Sequence, residues 1–402
     1  MFKRVLLVLL VVSLVVLSFG KTKISLWQFM ISEDMAQEVK ANFEAENPDI
    51  ELEIVQLSWA TGFDRIVTSI AAGTAPDVVE LGNTWLATFA TRGVIRPVDE
   101  LVNKVKDNYV AWNFVEYEGH SWGFPWLLAP RCMYYNLELL ERAGLDPDNP
   151  PRTWDELIDA AARIDALGTG IRGVGLASGE LYSPYQQWFL PAVWGNRGNF
   201  VSEDLKTATL DSIEIRETAV FYRELSDYAL LGRESELAEA FGEGKLGMFF
   251  AGPAYINNTQ RDYPETIFDV AFIPKPSTYR GYHASFAGGE VLALTTQSDY
   301  PEEAWRVIEY LLSEEVAMQI TRTTGEVFPT KVGIEQDPWF RSHPLHRTFF
   351  EQNAYAVPFP PLAEANKIEQ LFTQIVGEIL LTDKIIDDIL NTYNKQIQEL
   401  LQ

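Results

Sequence analysis

From Lys23 onward the chain alternates short apolar strands with amphipathic helices, and this alternation limits its fold more than any other feature. Lys23 to Trp27 reads as a strand, and Ser32 to Glu46 as a helix with Met35, Val39 and Phe43 on its inner face. Ile50 to Gln56 alternates as a second strand, Phe63 to Ala72 gives the next helix, and Pro76-Asp77-Val78-Val79 opens a third strand. Such strand-helix-strand spacing makes right-handed parallel crossovers, so the fold class is α/β. Thr153-Trp-Asp-Glu156 is a capping box that starts a helix through Leu167. The C-terminal stretch carries two helical periods. Ile368, Leu371, Phe372, Ile375 and Ile379 form one, and Ile385, Ile386, Ile389, Leu390, Tyr393 and Ile397 the other.

At 402 residues the chain is too long for one core and suits two domains. Lys3 and Arg4 precede an unbroken apolar run from Val5 to Leu17, and Ser18-Phe19-Gly20 follows with small residues at the cleavage positions. Residues 1–20 therefore read as a secretory signal peptide, with an apolar run too short for a good bilayer span. No cysteine follows the cleavage site closely, so no lipid anchor is expected and the product should be free in the periplasm or the medium. Cys132 is the lone cysteine, which excludes an intramolecular disulfide, and it reads as a small buried residue. A formal net charge of −25 opposes nucleic acid and anionic membranes and disfavours anionic ligands.

Three motifs with catalytic look fail on their context. Gly119-His-Ser121-Trp-Gly123 fits a nucleophile elbow, but Phe124-Pro125 forbids the helix that must follow the serine. A hairpin turning at Glu118-Gly119 is expected instead. Gly168-Thr-Gly170-Ile-Arg-Gly173 follows a helix and precedes a strand, the reverse of a dinucleotide site. Pro344 disfavours helical geometry at His343, so His343 and His346 do not make a metal pair. No catalytic residue, metal or cofactor is expected.

Binding chemistry has more support. In an open α/β sheet, ligands sit beyond the carboxyl ends of the strands. Trp27 and Gln28 end the first strand, Trp59 follows the second, and Asn83, Thr84 and Trp85 follow the third. Sugars present flat C–H faces that match aromatic rings, and hydroxyls that pair with amides, arginine and carboxylates. Trp154 and Trp305, inside helical patterns, read as core.

The segment Gly123-Phe-Pro-Trp-Leu-Leu-Ala-Pro-Arg-Cys-Met-Tyr-Tyr135-Asn136 runs from a strand into a short helix, with Leu137, Leu140 and Ala143 on one side and Gly144 as its stop. The backbone polar groups of Leu127 to Arg131 read as free for another partner. This segment resembles the signature of the family 1 extracellular solute-binding proteins of ABC importers, the maltose-binding-protein-like group. Ala72-Gly-Thr-Ala-Pro-Asp-Val78, Pro151-Arg-Thr-Trp-Asp-Glu-Leu157, Phe241-Gly-Glu-Gly-Lys-Leu-Gly-Met248 with Gly252-Pro253, Gly288-Gly289, and Thr324-Gly325 before Phe328-Pro329 are similar to other family segments, in the family's order. Arg142 and Ala254 depart from the usual residues.

The resemblance implies a periplasmic-binding-protein-like fold, two α/β lobes with a cleft between them and three crossings. The lobes would be 21–129 plus 287–328 and 130–286 plus 329–402. The implied cleft positions are Trp27, Gln28, Trp59, Asn83, Thr84 and Trp85, then Trp126, Leu128, Ala129 and Arg131. From the second lobe and the return crossing come Tyr185, Trp194, Asn196, Ala254, Tyr255, Phe286, Gly288, Gly289, Glu290 and Phe359. The implied function is capture of a carbohydrate, with a lean toward an oligosaccharide, by a monomer that closes its lobes and docks on a membrane permease. Two other readings stay open: a secreted carbohydrate-active enzyme with paired carboxylates, and a binding protein for polyamines or another cation. The latter favours several carboxylates among the aromatics, whereas the candidate cleft reads as amide and aromatic.

Overall fold

The computed structural model describes residues 20–402, so the expected leader lies outside the described residues apart from Gly20. The strand Thr22–Gln28 pairs in parallel with Ile50–Gln56 on one side and Val78–Gly82 on the other, with helices Glu33–Glu46 and Gly62–Ala71 in the crossovers. The Ser32 side chain caps the first helix by accepting from the Met35 N–H, and Met35, Val39 and Phe43 are buried beneath it. Three antiparallel strands complete a six-stranded sheet. Its spatial order is Phe328–Pro329, Phe124–Ala129, Gly288–Leu294, Val78–Gly82, Thr22–Gln28, Ile50–Gln56.

A second sheet has five strands, in the order Phe268–Ala271, Cys132–Asn136, Leu246–Ala251, Arg172–Ala177, Ala229–Gly232. The chain passes from the first sheet to the second between Ala129 and Cys132, returns between Ala271 and Gly288, and leaves the first sheet again after Pro329. Helices Ala365–Leu381 and Ile386–Leu400 pack on the five-stranded side, where Ile368, Phe372, Ile375 and Ile379 meet Ile389 and Leu390. Among the described residues no helix is long and apolar enough to cross a membrane.

Local chemistry explains the boundaries. Thr153 and Glu156 form the capping box, and the helix runs Trp154–Asp165, with Ala166 as its C-cap. Glu116–Tyr117 pairs with His120–Ser121 around Glu118 and Gly119, both at positive φ, so Ser121 sits in a hairpin. Gly168 and Gly170 also take positive φ, in the turn that leads to Arg172–Ala177. Cys132 is buried, which pushes its thiol up from the ordinary value.

One expectation is overturned. The backbone from Leu127 to Ala129 is not free, because it pairs with Glu290 to Gly288 on one side and with Phe328 and Pro329 on the other. The following helix, Leu137–Arg142, packs Leu137, Leu140 and Ala143 on one core as expected, and Leu139 is buried there too. Its orientation follows from Asn136, whose side chain accepts from the Leu139 N–H and turns that edge of the helix inward.

Candidate functional site

A cavity of about 290 Å³ lies between the two sheets, at the carboxyl end of Val78–Gly82 and at the crossings. Two larger crevices, of about 720 and 800 Å³, lie elsewhere, yet neither is lined by a buried carboxyl without a protein partner. The smaller cavity is where such groups gather.

Its first wall is aromatic. Trp59 stacks on Phe29 with centroids 4.1 Å apart and planes at 14°, and tilts against Trp85 at 5.4 Å. Phe29 covers one face of Trp59, and the residue remains 38% exposed. Trp85, by contrast, is buried and braced edge-on by Phe63 at 5.3 Å. It belongs to the turn Asn83–Trp85, which Asn83 ties down by donating its amide to the Ala287 carbonyl at 3.1 Å. Trp59 is thus the ring free to meet a ligand at little structural cost. Trp59→Ala is expected to weaken ligand binding about tenfold, in line with the roughly 0.5–1.5 kcal/mol attached to aromatic contacts beyond burial, while the melting temperature stays nearly unchanged. Calorimetric titration beside a thermal melt checks both halves.

The floor is made where the crossings meet. A Cβ on Gly288 would come within 2.6 Å of the Ala129 carbonyl oxygen, and one on Gly289 within 2.7 Å of the Phe114 ring. The double glycine therefore lets the return strand lie tight against Phe124–Ala129. Beside it, Arg131 donates through Nη1 to the Ala129 carbonyl and through Nη2 to Gln186 Oε1 at 3.2 Å, and its guanidinium sits 5.8 Å from the Phe286 ring centre. Arg131 Nε has no protein partner. Burial pulls this guanidinium down from its ordinary value, and Glu234 and Glu290 act in the opposite sense.

The opposite wall is acidic. A π-turn at Tyr185–Phe189 presents Gln186 and Gln187, and Glu234 opens the helix Glu234–Gly242. Glu234 Oε2 accepts from the Ser183 hydroxyl at 2.8 Å and from the Gln187 amide at 2.9 Å. Burial raises its proton affinity, and Arg131 offsets part of that rise. Glu369, from the helix Ala365–Leu381, is fully buried and accepts from the Tyr185 hydroxyl at 2.8 Å, and Thr84 and Trp85 of the first wall face the same carboxyl. Burial pushes Glu369 up to about 7 against those donors. Glu326 stands at the rim.

Of the residues put forward by the sequence, Trp59, Asn83, Thr84, Trp85, Ala129 and Arg131 line this cavity. So do Ala254, Tyr255, Phe286, Gly288, Gly289 and Glu290. The rest are placed elsewhere. Trp27 lies under Arg65, 4.9 Å from its ring centre, and Gln28 is spent on Ile31, donating to its carbonyl and accepting from its N–H. Trp126 is in the core of the six-stranded side and donates to the Leu311 carbonyl at 3.0 Å. Leu128 faces the 800 Å³ crevice behind the crossings. Tyr185 and Trp194 sit one layer back, the first holding Glu369 and the second stacked on Phe286 at 6.0 Å. The Asn196 amide donates to the Glu214 carbonyl and Glu217, and Phe359 packs against Phe200.

Sequence reasoning missed Tyr182, Gln186, Gln187, Glu234, Glu326 and Glu369, all on the cavity wall. With them the cleft is rich in carboxyls, contrary to its reading as amide and aromatic. Among the described residues, the buried polar atoms of the cavity wall without a protein partner are Gln187 Oε1, Glu290 Oε2, Glu369 Oε2 and Arg131 Nε. Three are oxygens and one is an N–H, so the arrangement asks for a ligand that mainly donates hydrogen bonds.

A family model described as bacterial extracellular solute-binding protein matches residues 29–318. A binding protein of Brucella abortus (strain 2308) is 30% identical over 299 residues, covering 72% of this chain and 71% of that protein. The sn-glycerol-3-phosphate-binding periplasmic protein UgpB of Escherichia coli (strain K12) is 24% identical over 371 residues, covering 84% and 82%. Among solved structures, an ABC transporter solute-binding protein from Thermotoga lettingae bound with α-D-tagatose superposes with a TM-score of 0.83 at 25% identity, covering 95% of this chain and all of that one. The sugar-binding protein MalE from Xanthomonas citri gives 0.84 at 22% identity, covering 94% and 97%, a likeness of fold.

Proposed function

This chain belongs to the bacterial extracellular solute-binding protein family, and on that footing we propose that it captures a short neutral carbohydrate between two closing lobes and delivers it to an ABC transporter permease. The lobes follow the expected bounds, 21–129 plus 287–328 and 130–286 plus 329–402, except that Pro329 pairs with Leu127 and so stays with the first lobe, and they hinge at the three crossings. The observation that carries the reading is the pairing of an aromatic shelf, Trp59 on Phe29, with buried oxygens that lack donors. Hydroxyls of a sugar supply those donors, and a C–H face supplies the contact for the ring. The volume, about 290 Å³, sits at the small end of ligand sites and suits a mono- or disaccharide.

A phosphate ester such as the ligand named for UgpB fits poorly. Arg131 is the one cation lining the cavity among the described residues, and Glu234 and Glu290 already oppose its charge. A cationic solute is the second reading, favoured by Glu234, Glu290, Glu326 and Glu369 on the wall. We propose binding without turnover. Glu80 and Glu290 are diagonal neighbours on adjacent strands and Glu80 does not line the cavity, so the two do not flank a bound ligand as the carboxyl pair of a glycoside hydrolase does. The product acts outside the cytoplasm as a monomer, with its leader removed after Gly20.

Mass spectrometry of the ligand released from natively purified protein tests this reading. A neutral mono- or disaccharide, recovered intact after prolonged incubation with the protein, is the expected result. A phosphate ester, a polyamine or a cleaved sugar would overturn it.

A further inference from the structure

Two carboxyls meet beneath the cavity floor. Glu80 lies on Val78–Gly82 and Glu290 on the antiparallel neighbour Gly288–Leu294, where Leu292 opposes Glu80 and Gly82 opposes Glu290. The pleat therefore places both acids on one face, diagonally adjacent. Glu80 is fully buried, and its Oε2 accepts the N–H of Phe29 at 2.7 Å and of Met30 at 3.4 Å. Glu80 Oε1 and Glu290 Oε2 have no protein donor, the register sets the two side chains side by side on one face, and burial raises the proton affinity of both. Two carboxylates in such a place repel, whereas one proton between them makes a strong O–H···O bond.

The charges around the pair do not remove the need for that proton. Arg131, from the crossing, faces Glu290 from one side and is shared with Glu234 of the opposite wall. Tyr134 and Tyr185 surround the guanidinium, and Glu369 and Glu326 add negative charge farther along the cavity. From the loop after Thr22–Gln28 come only the two N–H donors.

We propose that Glu80 and Glu290 hold one proton in common and that this shared proton makes the site selective for neutral hydroxyl ligands over cations. The inference rests on the carbohydrate reading above. In the one-proton state Glu290 presents a hydrogen-bonding edge to a sugar hydroxyl, while Glu80, which does not line the cavity, positions it from behind. A cation gains full attraction only by expelling the proton. The two ligand classes therefore give opposite linkage. A sugar seals the pair further from water, which strengthens its hold on the proton, so affinity falls as pH rises through the titration of the pair. A cation weakens that hold, so its affinity rises with pH and protons are released.

The test titrates maltose, D-glucose, D-tagatose and putrescine calorimetrically, from about pH 6 to about pH 9, into wild type and Glu80→Gln. Glutamine keeps the shape, still accepts from Phe29, and can donate permanently to Glu290. In wild type, sugar affinity is expected to fall by up to about tenfold per pH unit across the titration of the pair, and in Glu80→Gln to keep only the fall up to about pH 7 that Glu369 contributes. Glu369 is common to both proteins, so the difference between the two profiles belongs to the pair. Glu290→Gln, at lower overall affinity, should flatten the profile in the same way and serves if Glu80→Gln folds poorly. Sugar binding with the same profile in wild type and both variants would sink the shared proton and leave the carbohydrate reading standing. Binding of putrescine alone, with proton release, would overturn both.

Discussion

Replacing Trp126 with alanine is expected to lower the unfolding free energy by about 3–5 kcal/mol, the cost of emptying a large core site. The ring is almost fully buried among Phe124, Leu127, Val307, Ile308 and Leu311, and its N–H satisfies the Leu311 carbonyl at 3.0 Å. Alanine leaves both a cavity and an unpaired buried carbonyl. The side chain points into the helices Pro301–Leu311 and Glu314–Thr324 and away from the ligand cavity, so binding by the folded variant should stay within a few-fold of wild type. Urea unfolding followed by circular dichroism, with a parallel ligand titration, separates the two effects. A stable variant that no longer binds would return Trp126 to the cleft.

Glu369→Ala is expected to reduce ligand affinity by roughly 50- to 100-fold, the equivalent of about 2–3 kcal/mol for hydrogen bonds to a charged group. Glu369 belongs to the five-stranded side, yet Thr84 and Trp85 from the six-stranded side face its carboxyl. The contact exists when the lobes are together, so its loss penalises closure and lowers affinity through the closed population. Glu369→Gln keeps part of the bonding and should cost less. The sign with pH follows from its raised value. A carboxyl held at about 7 in the closed form, against an ordinary 4.5, favours closure most below about 4.5 and loses that contribution as pH rises through about 7. Calorimetric affinities for the three proteins at two pH values check the order and the direction. Equal affinities would mean that the carboxyl only supports the helix.

Much of the fold was legible because local rules and the global pattern agree. Ser32, Thr153 and Glu156 announce helix starts that the structure keeps, and Glu118-Gly119 turns the hairpin that disqualifies Ser121 as a nucleophile. The aromatic shelf was legible as well, since Trp59 and Trp85 follow strands whose ends open on the cavity. Trp126 and Leu128 were placed in the cleft by the resemblance alone, and the residues could not correct it, because Phe124–Ala129 is buried on both faces and alternation carries no information where neither face meets water. The acidic wall was missed for a different reason. Glu369 sits in a helix between Ile368 and Phe372, and Glu234 reads as a favourable first-turn acid at a helix start. Each has a sufficient local explanation, and only the tertiary fold turns them toward one cavity.

Titration of the intrinsic tryptophan fluorescence at neutral pH, with Trp59 and Trp85 on the cavity wall as reporters, tests the central claim most directly. The account predicts a saturable response to a neutral mono- or disaccharide and none to sn-glycerol 3-phosphate or putrescine. A saturable response to either of those two, with no sugar producing one, would contradict it.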